Sequence, residues 1–373
     1  MAGHDAEQNS METTAVADGG IAIFGECPLP IFDHPQIVLG HGGGGKLSAE
    51  LIEKVFVSRF ANPTIQRMND SALLEIGGAR LAFTTDSFVV TPIFFPGGDI
   101  GSLAVNGTVN DLAMAGAKPL YLSAAFLLEE GLLASDLTRV VDSMQAAAMR
   151  AGVQLVTGDT KVVNRGKGDQ VFITTTGIGQ VPTDVQLSAD RAQPGDKILL
   201  SGYVGDHGIT ILSQRENLEF EGDLQSDCMA LNSLVDVMLD EARAAGASSA
   251  IRCLRDPTRG GVASTLNEIS VRSGVGMMLQ EQEIPVRDTV RGACEMLGLD
   301  PLYVANEGKL LAVVSAELEP KILQRMQSHP QGRESRVIGQ VLEAPQGMVL
   351  MKTSIGGTRV VDTLFGEQLP RIC

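Results

Sequence analysis

The chain has 373 residues, 44% of them hydrophobic, and a formal charge of −16 from 45 acids and 29 bases. That length suits two domains of about 150 residues each, and the apolar fraction excludes a disordered chain. The acidic balance, an aromatic content of 4% and the lack of Trp exclude a general nucleic-acid binder, which needs basic charge and stacking platforms.

In chain order, residues 1–35 read as a mobile N-terminal extension, because the first twenty are small, polar and acidic. No Lys or Arg precedes Lys46, so a secretory signal would lack its basic start. No run approaches the ~18 apolar residues of a spanning helix. A cytoplasmic chain without membrane contact is the expectation. Ordered structure is expected to open on Ile37-Val38-Leu39, followed by a loop with five glycines at 40 and 42–45. Apolar residues at 51, 52, 55 and 56 predict a helix over 48–60. Strands at 72–76 and 80–84 flank Gly77-Gly78 as a hairpin. Residues 88–95 are β-rich, with Pro92 restricting them to an edge or bend. A helix over 99–116, a strand over 120–128, a helix over 133–151 and strands over 153–157 and 171–178 follow.

A polar stretch with Pro194-Gly195 marks a boundary within 181–196. Beyond it the pattern predicts a strand at 197–201 and helices over 206–215, 227–245 and 261–273. Strands at 276–279 and 309–314 and a helix over 319–328 come next. Alternating strands and helices give two α/β domains, 36–185 and 194–360, with a flexible tail over 361–373. There is no short-period repeat.

Several segments carry chemistry. Gly40 to Lys46 matches the GxxxxGK part of a P-loop, but Leu47 stands where Ser or Thr must hold magnesium. Gly42, Gly43 and Gly44 can still cover phosphates through backbone N–H groups, or form a plain hinge. Asp70, Asp86, Asp111 and Asp159 are read as lying at strand or loop ends beside Gly, Asn, Ser or Thr. Such hard oxygen donors suit Mg²⁺ with a nucleotide, although any one of them alone would more often cap a helix or turn. Asp256-Pro-Thr-Arg259-Gly-Gly precedes a helical pattern. Its N–H groups and Arg259 suit an anion, and an Asp cap with Pro at the first helical position is equally good chemistry. Gly205-Asp-His207-Gly and Asn306-Glu307-Gly-Lys are weaker signals.

The five cysteines, 27, 228, 253, 294 and 373, contain no CxxC pair, so neither a disulfide scaffold nor a zinc module is expected. Cys373 is the last residue of the chain, behind Leu369-Pro-Arg-Ile. Its own terminal carboxylate disfavours the thiolate, so reaction would need a positive environment. Twelve extended residues reach about 40 Å, enough to enter a cleft and leave it.

Together, Phe94-Phe-Pro-Gly-Gly-Asp-Ile-Gly101, Val156-Thr-Gly-Asp-Thr-Lys-Val-Val163, Gly205-Asp-His-Gly208, Asp256-Pro-Thr-Arg-Gly-Gly261, Asn306-Glu-Gly-Lys309 and the terminal Pro-Arg-Ile-Cys occur in an order that resembles the HypE family of hydrogenase maturation proteins. The resemblance runs from about Ile37 to Cys373; residues 1–35 match nothing in it, and the loop at 41–46 is unusually glycine-rich. It implies the two-domain α/β (α+β) fold of aminoimidazole ribonucleotide synthetase-like (PurM-like) proteins, whose N-terminal domain pairs into a dimeric β-barrel. It also implies ATP bound with Mg²⁺. Asp70, Asp86, Asp111 and Asp159 become metal candidates. Gly42, Gly43, Gly44, Asp86, Asp111, Asp159, Thr160 and Arg259 become nucleotide candidates.

The implied activity is an ATP-dependent carbamoyl dehydratase acting on its own tail. A carbamoyltransferase, HypF, loads Cys373, and dehydration gives a thiocyanate. The cyano group then passes to iron on the HypC–HypD complex as a ligand of [NiFe] hydrogenase. For proton removal Lys161 is the first candidate, Glu307 the second and His207 the third; Arg371 is a candidate for docking the tail. Two alternatives remain at this stage. A selenophosphate synthetase-like enzyme would want a reactive Cys near the glycine loop, a context Cys27 lacks. A non-catalytic maturation scaffold would use the thiol only for docking.

Overall fold

The computed structural model describes residues 36–60, 62–366, 369, 372 and 373. The expected extension over 1–35, Cys27 and Arg371 lie outside the described residues. At the start of the described chain Ile37 and Leu39 are exposed, and Leu39–Gly42 forms a 3-10 turn. The turn leads into helix α1 (Lys46–Leu51), which runs through a π-helical stretch, Ile52–Val57, into α2 (Ser58–Phe60).

The first sheet is built from β1 (Ala72–Ile76), β2 (Ala79–Phe88), β5 (Lys118–Glu129), β6 (Gln154–Val163) and β7 (Val171–Gln180), in the order β1-β2-β7-β5-β6. Gly77 and Gly78 both take positive φ, as the expected hairpin turn requires. In the β-rich stretch over 88–95, β2 ends at Phe88 and a separate short ribbon, β3 (Phe94–Phe95) with β4 (Gly98–Asp99), follows Pro92, consistent with the break expected there.

Helix α3 (Ile100–Met114) is closed at its start by Asp99, which accepts from Gly101 N and Ser102 N at 2.8 and 2.9 Å. It is buried on all sides except at Asp111. Helix α4 (Ala134–Ala151) packs beside it and ends on Gly152 at φ +74°. β2 and β7 alternate between covered and open faces, whereas β6 is exposed along nearly its whole length at the sheet edge.

The second sheet has the order β14-β13-β10-β12-β8-β11-β9. Its strands are β8 (Lys197–Leu200), β9 (Ile251–Arg255), β10 (Gly276–Gln280), β11 (Leu311–Val314), β12 (Arg336–Leu342), β13 (Val349–Lys352) and β14 (Thr358–Val360). Helices α5 (Asp206–Glu216), α6 (Asn232–Ala244), α7 (Gly261–Ser273), α8 (Asp288–Leu297) and α9 (Glu319–Gln327) accompany it. β9 and α8 were not expected. Asp227, read as helical, lies in an extended approach to α6, and Lys309 precedes β11.

One apolar cluster joins Ala82 and Leu112 of the first half to Leu199, Leu234 and Ile322 of the second. Residues 36–373 therefore form one compact unit. No helix is long and apolar enough to cross a membrane among the described residues.

Candidate functional site

Two groups of polar side chains meet between the sheets. The first is a carboxylate cluster. Ligand oxygens of Asp70, Asp111 and Asp256 all lie within 4.8 Å of one another. Asp70 precedes β1, Asp111 occupies the one opening in α3, and Asp256 follows β9. The alternation of β2 puts Thr84 and Asp86 on the same inward face. Thr84 Oγ1 donates to Asp111 Oδ2 at 2.7 Å, and Ser71 Oγ to the Asp111 carbonyl at 2.9 Å. Arg255 Nη1 lies 3.1 Å from Asp70 Oδ1 while Nη2 donates to Glu268 at 2.6 Å.

Burial pushes these carboxyls up, and their mutual repulsion adds to it. Asp70 rises to about 6 by burial, with Arg255 opposing, and Asp256 rises to about 8 by burial and the charge of Asp70. Asp111 is raised by burial and by Asp256, Asp70 and Asp86; Asp86 is raised by burial, against Arg259. Such a crowded set of oxygens is stable when a proton or a hard cation sits among them. The donor set fits Mg²⁺.

The second group joins the Gly205–Gly208 and Asn306–Lys309 segments. Asn306 ties two motifs together: its Oδ1 accepts from Gly205 N at 2.8 Å, and its Nδ2 donates to the Pro257 carbonyl at 2.8 Å. Glu307 N donates to Asp227 Oδ1 at 3.0 Å, and Asp227 Oδ2 pairs with Lys309 Nζ at 3.0 Å. Glu307 is buried, and its Oε1 makes no hydrogen bond among the described residues. Burial, then the charges of Asp227, Asp256 and Asp86, hold its carboxyl well above the usual range. Glu307 therefore feels the charge of the carboxylate cluster.

The tail enters this region. Ile372 is buried, and it pairs with Val90 in an antiparallel bridge. Leu369 is buried and Cys373 is half-buried against the same apolar cluster. Buried His207 lies with Nε2 2.5 Å from the Ile372 carbonyl and Nδ1 2.8 Å from Ser226 Oγ. A Cβ at Gly208 would stand 2.5 Å from Val304 Cγ1 and 3.3 Å from Leu369 Cδ1, so Val304 requires glycine there and the tail packs against the same spot.

The glycine loop holds the root of the tail. Lys46 N and Leu47 N donate to the Leu364 and Phe365 carbonyls at 2.8 and 3.3 Å, and Lys46 Nζ pairs with Asp362 at 2.8 Å. Gly44 has φ +72°, and its Cβ would meet the Arg259 carbonyl at 2.7 Å. Arg259 Nη1 donates to the Gly42 carbonyl at 2.6 Å. The loop, with Gly42, Gly43 and Gly44, is thus clasped between the Arg259 turn and the tail, with the Lys of the P-loop-like stretch turned to Asp362.

Asp86, Asp111 and Asp159 were read as strand or loop ends; they lie inside β2, α3 and β6. Asp159 and Thr160 stand on the exposed edge strand, where Lys161 Nζ lies 2.7 Å from Asp159 Oδ2. Lys161 and the Thr160 N–H hold the Asp159 carboxyl below its usual range. Asp256, Arg255, Thr84, Asp227 and Lys309 were not read as site residues. Asp256 and Lys309 did stand inside motifs that the sequence singled out, Asp-Pro-Thr-Arg-Gly-Gly and Asn-Glu-Gly-Lys.

This fold and this cluster define a protein of the AIR synthase related class: the model of the N-terminal domain of AIR synthase related proteins matches residues 68–181 and that of the C-terminal domain residues 193–352. A carbamoyl dehydratase HypE of Azotobacter vinelandii is 58% identical over 338 residues, covering 91% of this chain and 97% of that protein. Among solved structures, HypE in a HypE–HypF complex aligns with a TM-score of 0.79 at 47% identity, covering 84% of this chain and 99% of that one. HypE in complex with ATP aligns with a TM-score of 0.75 at 50% identity, covering 91% and 100%. The chain belongs to the carbamoyl dehydratase HypE family.

Proposed function

We propose that this chain uses ATP to dehydrate a carbamoyl group carried on its own Cys373, yielding a thiocyanate for the iron of [NiFe] hydrogenase. The observation that carries this reading is the docked tail, with Ile372 buried and its carbonyl on His207, in a protein that also gathers Asp70, Asp111 and Asp256 and buries Glu307. An amide-like oxygen leaves poorly. Transfer of the γ-phosphoryl group to it makes phosphate the leaving group. The C–O bond then breaks, the two nitrogen protons depart, and C≡N remains on sulfur. The oxygen leaves in phosphate, so ATP and thiocarboxamide become ADP, phosphate and thiocyanate with one proton released.

Asp70, Asp111 and Asp256, with Asp86 beside them, would hold Mg²⁺; that ion supplies charge neutralisation for the phosphates. Arg259 donates to the Gly42 carbonyl, and its charge reaches Asp86, so Arg259 and the loop of Gly42, Gly43 and Gly44 suit the phosphates. Glu307 is the base that the burial and the unengaged Oε1 favour. Neutralising the nearby carboxylates lowers the cost of its ionised form. Lys161 is held by Asp159 on the open edge, so its role, with Asp159 and Thr160, belongs to a paired edge.

That pairing is a homodimer. β6 is an uncovered edge, and Phe83, Tyr121, Leu127, Val156 and Ile178 are exposed in the same sheet. A HypF-type carbamoyltransferase is the proposed donor, a HypC–HypD pair the proposed acceptor, and the cytoplasm the proposed setting. The domain limits, 36–185 and 194–360 with the tail at 361–373, belong to the same reading.

Intact mass after incubation with a HypF-type carbamoyltransferase, carbamoyl phosphate and ATP tests it. The expected result is a carbamoyl adduct that loses one water only with ATP. An unmodified tail, or the same mass change in Cys373→Ser, would overturn it.

A further inference from the structure

Glu307 and the carboxylate cluster need the carbamoyl group brought to one place, yet the thiol sits on the last residue of a tail. The carbonyl just before it, that of Ile372, lies 2.5 Å from His207 Nε2. A carbonyl only accepts, so Nε2 carries the proton. In the neutral ring Nδ1 is then an acceptor, and the Ser226 hydroxyl, 2.8 Å away, must donate to it. Ser226 is itself oriented: its Oγ accepts from Cys228 N at 3.1 Å, and its N donates to the Pro96 carbonyl at 2.9 Å. Burial holds the imidazole below its ordinary pKa, against the pull of Asp227. The Phe95 ring packs edge-on against it, with centroids 5.6 Å apart. His207 Nε2 is thus committed to the tail. A base would need that nitrogen, or Nδ1, open to the substrate.

We propose that His207 is a positioning residue whose tautomer is set by Ser226, and that its Nε2–H anchors the Ile372 carbonyl so that the group on Cys373 is presented to Glu307. This rests on the dehydratase reading for its purpose, and on the geometry alone for the anchor. The Ser226–His207–Ile372 line joins three stretches of chain that have no local reason to meet. It adds a side-chain hydrogen bond to the apolar burial of Ile372 and Leu369 and to the Val90 bridge, and so gives the tail a defined seat.

Two readouts test the proposal in the full chain carrying Cys27→Ser. The first is the alkylation rate of Cys373 by iodoacetamide, followed by peptide mass. It needs no catalysis. His207→Phe and Ser226→Ala should each react about tenfold faster than the parent, the loss of one net hydrogen bond. His207→Gln, which restores an amide N–H near the Nε2 position, should stay close to the parent. The second is single-turnover dehydration of the carbamoylated protein. His207→Phe should be slower by about 10²-fold, the cost of an ångström-scale misplacement, with ATP affinity unchanged. His207→Gln should recover most of that rate.

Equal alkylation rates in Ser226→Ala and the parent would overturn the anchor, as would a His207→Gln protein as slow in dehydration as His207→Phe. Ser226→Ala keeps the test open if His207→Phe does not fold. A parent protein that never dehydrates its carbamoylated tail would overturn the functional reading, while the alkylation comparison would still decide the anchor.

Discussion

Asp256 shows what a single residue contributes here. Its motif suggests a helix cap, yet its carboxylate closes a cluster with Asp70 and Asp111. Two of these groups have folded pKa values raised above the ordinary 3.8, to about 6 and about 8. A raised carboxyl contributes stability that is fully present below the unfolded pKa and is lost as pH rises through the folded one. Without a divalent cation, the melting temperature should therefore fall as pH rises from about 4 to about 8. Asp256→Asn should flatten that fall and weaken Mg²⁺-ATP binding, read by thermal melts with and without MgCl₂ and by calorimetric titration. An unchanged pH slope would remove Asp256 from the cluster. Glu307→Gln keeps shape and burial but cannot take a proton. It should leave carbamoylation and ATP affinity intact and slow dehydration by about 10²- to 10⁴-fold, measured in a single turnover.

Elements were legible where their periodicity was strong. Helices α4 and α7 and strand β7 follow the apolar spacing, because packing rewards one face of each. β6 ran past its expected end, since Thr-Gly-Asp-Thr reads locally as a turn; parallel pairing with β5, Ala124 to Gly158 and Ala125 to Asp159, overrides that preference. The short β9, Ile-Arg-Cys-Leu-Arg, has apolar residues only at 251, 253 and 254, too brief a pattern to be told from a loop. Asp99 caps α3 through two backbone N–H groups, so Asp99→Ala should cost about 1 kcal/mol, read in urea unfolding. Gly45 leaves no room for a side chain: its Cβ would stand 2.5 Å from the Leu364 carbonyl. Gly45→Ala should loosen the tail root and speed Cys373 alkylation; a rate equal to the parent's would show that the loop does not hold the tail.

For the whole molecule, the open face of the first sheet is the proposed dimer face. Phe83 and Val156 are exposed, and β6 has no neighbour on its outer side among the described residues. Val156→Glu should convert a dimer to a monomer in sedimentation velocity and reduce ATP turnover, without lowering the melting temperature of the monomer. A dimer that survives this change places the interface elsewhere.

Composition, glycine placement, strand–helix alternation and the order of six motifs were enough to identify the two-domain α/β class and the family, and to single out Cys373 as the proposed reacting residue. These are properties of short windows and their sequence, so they survive without coordinates. Which carboxylates converge was another matter. Asp256 joined Asp70 and Asp111, while Asp159 stayed on the sheet edge. The seat of the tail was likewise hidden, because the His207–Ile372 contact spans 165 residues. Burial, pKa and proximity arise only when distant segments share one core, and the tertiary structure alone decided them.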